Sequence, residues 1–147
     1  MVRIAVLVSG GGTNLQALLD AKSNGHIKNG DFTLVVSSSP DAYALTRAET
    51  HGIKSVVVDR KKYRNRTEFT NAILDVLNEH QIELVVLAGF LYVLSPEFTQ
   101  QYRNRVINVH PSLIPAFCGD GFYGLRVHEK VLEYGVKLTG ATVHFVN

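Results

Sequence analysis

The chain of 147 residues holds one cysteine, Cys118, so no internal disulfide can staple it, as suits a reducing compartment. It also lacks a charge bias. Fifteen Lys and Arg against thirteen Asp and Glu leave a formal net charge of +2, with no basic block. That balance argues against nucleic acid or an anionic membrane as partner. The longest apolar run, Leu84 to Leu94, is too short to cross a bilayer. Near the start, Arg3 precedes only the short run Ile4–Val8 and then three glycines, which is not the layout of a signal peptide. No H-E-x-x-H, no C-x-x-C and no recurring ligand spacing occurs, so no metal site is expected. Internal repeats, low-complexity tracts and linkers are missing as well. With 46% hydrophobic and 19% charged residues, the chain reads as one core-forming domain over residues 1–147, soluble and cytoplasmic.

What is present alternates between short solid apolar runs and longer segments of helical period. The solid runs are Ile4–Val8, Phe32–Val36, Ser55–Val58, Leu84–Leu87 and Val106–Val109. Runs of this kind suit strands buried on both faces, as in a parallel sheet. Thr13 and Gln16 form a T-x-x-Q capping box ahead of Leu15, Leu18 and Leu19. Asp41 is placed to cap a helix through Ala44, Leu45 and Ala48 that stops at Gly52. The clearest stripe, Phe69, Ala72, Ile73, Val76 and Leu77, predicts a helix from about Arg66 to His80. Ser95 and Pro96 read as N-cap and first residue of another. Residues 110–123 predict a long loop, 125–134 a helix ending at Gly135, and 137–146 a last strand. Strand–helix–strand repetition of this kind implies an α/β fold: a Rossmann-like, mostly parallel sheet with helices on both faces.

Ser9, Gly10, Gly11, Gly12, Thr13 and Asn14 join the first strand to the first helix. Three glycines let backbone amides turn toward a ligand, and the helix N-terminus behind them favours an anion. Gly10 and Gly12 match the start of G-x-G-x-x-G, but Leu15 replaces the third glycine. The second strand ends in Ser37, Ser38 and Ser39, where a dinucleotide site would carry an acid for the ribose. No G-K-[ST] follows, which excludes a nucleoside-triphosphate loop. A phosphorylated sugar fits better, and a tight βα turn holding no ligand is the alternative.

Asn108 and His110 are two apart in a strand, so alternation puts both on one face, at the carboxyl end where open α/β sheets bind ligands. Asparagine can donate to a developing oxyanion and histidine can shuttle a proton near neutral pH. That pair suits acyl or formyl transfer better than hydride or phosphoryl transfer. The alternative is two structural residues bonded to the loop beyond. His128, Glu129, His144 and Cys118 carry weaker signals. Lys61, Lys62, Arg64 and Arg66 form a basic cluster, either a solvated face or a neighbour of an acidic ligand tail.

Four segments together resemble the phosphoribosylglycinamide formyltransferase family: Ser9–Ala17 (S-G-G-G-T-N-L-Q-A), Leu87–Leu91 (L-A-G-F-L), Asn108–Pro115 (N-V-H-P-S-L-I-P) and Thr139–Val146 (T-G-A-T-V-H-F-V). The third segment is shared across folate-dependent formyltransferases, and the glycine loop points to the glycinamide ribonucleotide branch. The resemblance implies formyl transfer from 10-formyltetrahydrofolate, a co-substrate rather than a tightly bound cofactor, to the amine of 5-phosphoribosylglycinamide in de novo purine biosynthesis. It implies that Gly12, Thr13 and Asn14 hold the substrate phosphate. The backbone of Leu91, Tyr92, Val93 and Leu94 would line the pterin slot, with Arg66 on the folate. Asn108 and His110 would flank the formyl carbon. Small-molecule substrates are expected, without nucleic acid, membrane or metal. Oligomeric state is left open. Family members continue beyond the last strand into a loop whose aspartate pairs with the catalytic histidine, so a chain stopping at Asn147 implies C-terminal truncation and impaired turnover. Competing readings are another folate-dependent formyltransferase, a formyltetrahydrofolate hydrolase, or a non-catalytic phosphosugar-binding fragment.

Overall fold

The computed structural model describes residues 1–110 and 142–145. Of the loop predicted over 110–123 only His110 is described, and it ends a strand; the rest of that loop, the helix over 125–134, and Cys118, His128 and Glu129 lie outside the described residues.

The elements in chain order are β1 (Val2–Val8), α1 (Thr13–Ser23), β2 (Gly30–Ser37), α2 (Ala44–Thr50), β3 (Lys54–Val57), α3 (Arg66–Glu79), β4 (Leu84–Leu87), α4 (Pro96–Gln101), β5 (Val106–His110) and β6 (Thr142–Phe145). A short 3₁₀ turn, Arg60–Lys62, precedes α3. The sheet runs β3-β2-β1-β4-β5-β6. Its first five strands are parallel, and β6 pairs antiparallel with β5.

Strand alternation divides the core into two layers. Ala5, Leu7, Leu34, Val36, Val85 and Leu87 face α3 and α4, meeting Phe69, Ile73, Leu77 and Phe98. Ile4, Val6, Val8, Val35 and Val86 face α1 and α2, meeting Leu15, Leu19, Ala44 and Ala48. Each large apolar side chain buried this fully contributes roughly 1.5–3 kcal/mol. A bulge marks β2: Ile4 pairs with Phe32 while Ala5 pairs with Leu34, leaving Thr33 as the extra residue. The bulge brings Phe32 and Val35, three apart, into the same layer.

Local chemistry explains most boundaries. Asn65 caps α3, its Oδ1 accepting from the Glu68 amide at 2.9 Å. Ser95 and Pro96 open α4 as the sequence predicts, and the Ser95 amide donates to Thr70 Oγ1 on α3 at 3.2 Å. Three expectations fail. Thr13 is the first residue of α1 rather than its cap; Gly12 caps in the left-handed region, without a side-chain bond. Gln16 instead donates to Asp20 Oδ1 at 2.9 Å, so no capping box forms. Asp41 is exposed and Tyr43 occupies the α2 cap position, because the Ala44 amide is taken by the Gly10 carbonyl at 3.1 Å. Finally, β3 is not buried on both faces: it ends the sheet, with Lys54, Ser55 and Val57 exposed.

After β1 the chain adds β2 and β3 on one side, and β4 and β5 go to the other. The strand order therefore reverses between β1 and β4, whose carboxyl ends open a crevice.

Candidate functional site

The glycine loop leaves β1 on one side of this crevice. All three of its glycine carbonyls are turned back into the protein. Gly10 O accepts from the Ala44 amide at 3.1 Å, and Gly12 O from the Gln16 amide at 2.8 Å. Gly11 O accepts from Arg47 Nε at 2.8 Å. Among the described residues no acceptor is seen for the amides of Gly11, Gly12, Thr13 and Asn14. Unused N–H groups at the head of a helix form a ready site for an anion.

The glycines are not equivalent. Gly12 has φ +79°, and a Cβ there would lie 2.7 Å from Ala44 Cβ. It is required by the fold. A Cβ on Gly10 or Gly11 would meet nothing within 4 Å, so these positions border open space. Thr13 and Asn14 are exposed beside them.

The segment after β4 forms the opposite wall. Ser9 Oγ ties the walls together: it lies 2.7 Å from Ser38 Oγ at the end of β2 and accepts from the Leu91 amide at 3.0 Å. Leu91, Tyr92 and Val93 are exposed, a run of apolar surface at the mouth of the crevice, while Leu94 packs on the core. Tyr92 and Phe90 pack against Phe69 of α3, with ring centroids 5.5 and 6.3 Å away. Arg60 lies over Phe69 and Tyr92, at 5.5 and 5.9 Å from their centroids, and donates to Tyr63 O at 3.0 Å. Arg66 is exposed one helical turn before Phe69, without a hydrogen-bond or ion-pair partner among the described residues. Arg64 differs: it pairs with Glu68 at 2.7 Å, which holds the Glu68 carboxyl below its ordinary range.

Asn108 lies on β5, half-buried, opposite Leu87 of β4 and His144 of β6 in register. His110 ends the same strand, paired with Thr142; its side chain lies outside the described residues. Among the described residues no group of three His, Cys, Asp or Glu side chains gathers as a metal site, and no helix is long and apolar enough to cross a membrane. Arg47 behind the loop and Arg60 over the aromatic wall carry no signal in the sequence, and Ser9 stands in the loop motif with nothing local to announce its tie between the walls.

A mostly parallel sheet with a glycine loop and an apolar wall at its strand-order reversal defines a doubly wound α/β protein, a class of fold in which ligands bind at the carboxyl edge. The formyl transferase family model matches residues 2–147, and the chain belongs to that family. It is 42% identical over 147 residues to phosphoribosylglycinamide formyltransferase of Haemophilus influenzae, covering all of this chain and 66% of that protein. It is 44% identical over 144 residues to the trifunctional purine biosynthetic protein adenosine-3 of Homo sapiens, covering 98% of this chain and 14% of that one. The crystal structure of glycinamide ribonucleotide transformylase 1 from Symbiobacterium toebii superposes with a TM-score of 0.90 at 42% identity, covering 100% of this chain and 66% of that one. The chain thus spans less than two thirds of the length of these relatives.

Proposed function

We propose that this chain serves the transfer of a formyl group from 10-formyltetrahydrofolate to the amine of 5-phosphoribosylglycinamide, a step of de novo purine biosynthesis in the cytosol. The observation that carries the reading is the set of amides at Gly11 to Asn14 that find no acceptor among the described residues, on the sheet edge that also carries Asn108. Gly12, Thr13 and Asn14 hold the substrate phosphate by backbone and side-chain donors. Backbone of Tyr92, Val93 and Leu94 borders the pterin, the Leu91 amide being already bonded to Ser9. Arg66, without an acidic partner among the described residues, meets the acidic tail of the folate.

In the reaction the substrate amine attacks the formyl carbon and its C=O pair moves onto oxygen. Asn108 donates a hydrogen bond to that oxyanion, and protonated His110 adds a second donor. The proton leaving the substrate nitrogen and the one gained by N10 of the folate pass through His110 and solvent. Collapse of the intermediate breaks the bond to N10 and releases tetrahydrofolate. The chemistry needs no metal and no tightly held cofactor. Holding both small molecules in one crevice supplies much of the acceleration.

The test is a formylation assay with three acceptors offered separately: the ribonucleotide, methionyl-tRNA and water. Product on the ribonucleotide alone is the expected result. Formyl-methionyl-tRNA, or free formate as the main product, would transfer the assignment to another branch of the family.

A further inference from the structure

All three glycine carbonyls of the loop have a donor, and only one of those donors is a side chain. Arg47 reaches from α2, giving Nε to Gly11 O at 2.8 Å and Nη1 to Gln16 Oε1 at 3.2 Å. Its guanidinium also lies 5.0 Å from the centroid of the Tyr43 ring, and the residue is half-buried. It has no carboxylate partner among the described residues. In a trans peptide the C=O and the following N–H point in opposite directions. Pulling the Gly11 carbonyl toward α2 therefore turns the Gly12 amide the other way, away from α2. The Ala44 amide does the same for the Gly11 amide by holding Gly10 O. Among the described residues no other hydrogen bond to the Gly10 or Gly11 carbonyl is seen.

We infer that Arg47 is a positioning residue for the phosphate site: it holds the Gly11 peptide so that the loop amides face the anion, without itself touching the ligand. This rests on the proposed phosphate role of the loop. Planarity and the two-pronged donor matter, because one guanidinium spans Gly11 O and Gln16 Oε1 together. A lysine keeps the charge but presents a single ammonium that cannot hold both in a fixed fork.

Calorimetric titrations of the chain with glycinamide ribonucleotide and, separately, with tetrahydrofolate test it. For Arg47→Met the expected result is roughly tenfold or greater loss of affinity for the ribonucleotide, as for removal of a charge-assisted hydrogen bond, with tetrahydrofolate affinity unchanged. Arg47→Lys should show most of the same selective loss. Full ribonucleotide affinity in Arg47→Lys would mean that charge alone suffices, and would overturn the positioning role. Unchanged affinity in Arg47→Met, or equal loss for both ligands, would overturn it too. If Arg47→Met does not fold, Arg47→Lys decides by the same selectivity. An unsubstituted chain that binds tetrahydrofolate but not the ribonucleotide would defeat the loop reading and this inference with it. Failure confined to the variants defeats the inference alone.

Discussion

Gly11 and Gly12 both present unused amides, but only Gly12 is also demanded by the fold, and substitution separates the two duties. Alanine at Gly12 must adopt φ +79° and press within 2.7 Å of Ala44. The left-handed backbone and the overpacking together should cost about 2–4 kcal/mol, visible as a lowered melting temperature. Alanine at Gly11 meets nothing within 4 Å, so the fold should melt as before while ribonucleotide affinity falls. A Gly11→Ala chain with full affinity would contradict the phosphate role. Asn108→Ala should lower kcat by about 100-fold, the usual effect of removing one oxyanion donor, and leave ribonucleotide affinity intact. An unchanged kcat would remove Asn108 from the chemistry. At the residue scale the βα turn between β1 and α1 was legible, because three glycines in a row are an unusual and purely local signal. It failed at Thr13 and Gln16. The side chain that occupies Gln16 Oε1 is Arg47, 31 residues away, and no local pattern announces such a bond.

Among the elements, α3 and α4 set the apolar wall of the crevice, and they are joined by buried polar contacts. Tyr102, just past α4, is buried and donates its hydroxyl to Ile82 O at 3.0 Å. Burial pushes its phenol pKa up, with Arg105 opposing. Tyr102→Phe leaves that carbonyl without its donor, and chemical denaturation should show a loss of about 1–2 kcal/mol. A neutral result would mean that another group replaces it. At the exposed start of α3, Arg64 holds the Glu68 carboxyl below its usual range. A carboxyl with a depressed folded-state pKa adds stability above its unfolded value and loses it as pH falls through the folded one. Melting curves of the parent chain and Glu68→Gln should therefore differ slightly at neutral pH and converge in acid; a gap that widened in acid would refute the sign. The strands were legible because solid apolar runs of four or five residues admit few other fates between helical segments. Edge strand β3 misled for the same reason: Val56–Val58 is as apolar as a central strand, and only the sheet order shows that no strand among the described residues lies beyond it. The Thr33 bulge was likewise hidden, since it depends on pairing with β1.

At the scale of the whole molecule, the sheet gathers residues far apart in sequence onto one edge. The glycine loop after β1, the Leu91–Leu94 segment after β4 and Asn108 on β5 are brought together by the strand order β1-β4-β5. That convergence was legible in outline, because strand–helix alternation implies a parallel sheet and a parallel sheet puts all its carboxyl ends together. The joining contact, Ser9 between Ser38 and the Leu91 amide, was not: it links three loops whose proximity exists only after folding. The central claim is that the loop amides hold the phosphate of glycinamide ribonucleotide. It is tested most directly by calorimetric titration of the chain with that ribonucleotide, alongside Gly11→Asp, a carboxylate set in the anion site. The account predicts one ribonucleotide per chain, and no detectable binding by a Gly11→Asp chain that still unfolds cooperatively. Equal binding by both, or none by a cooperatively folded parent, would contradict it.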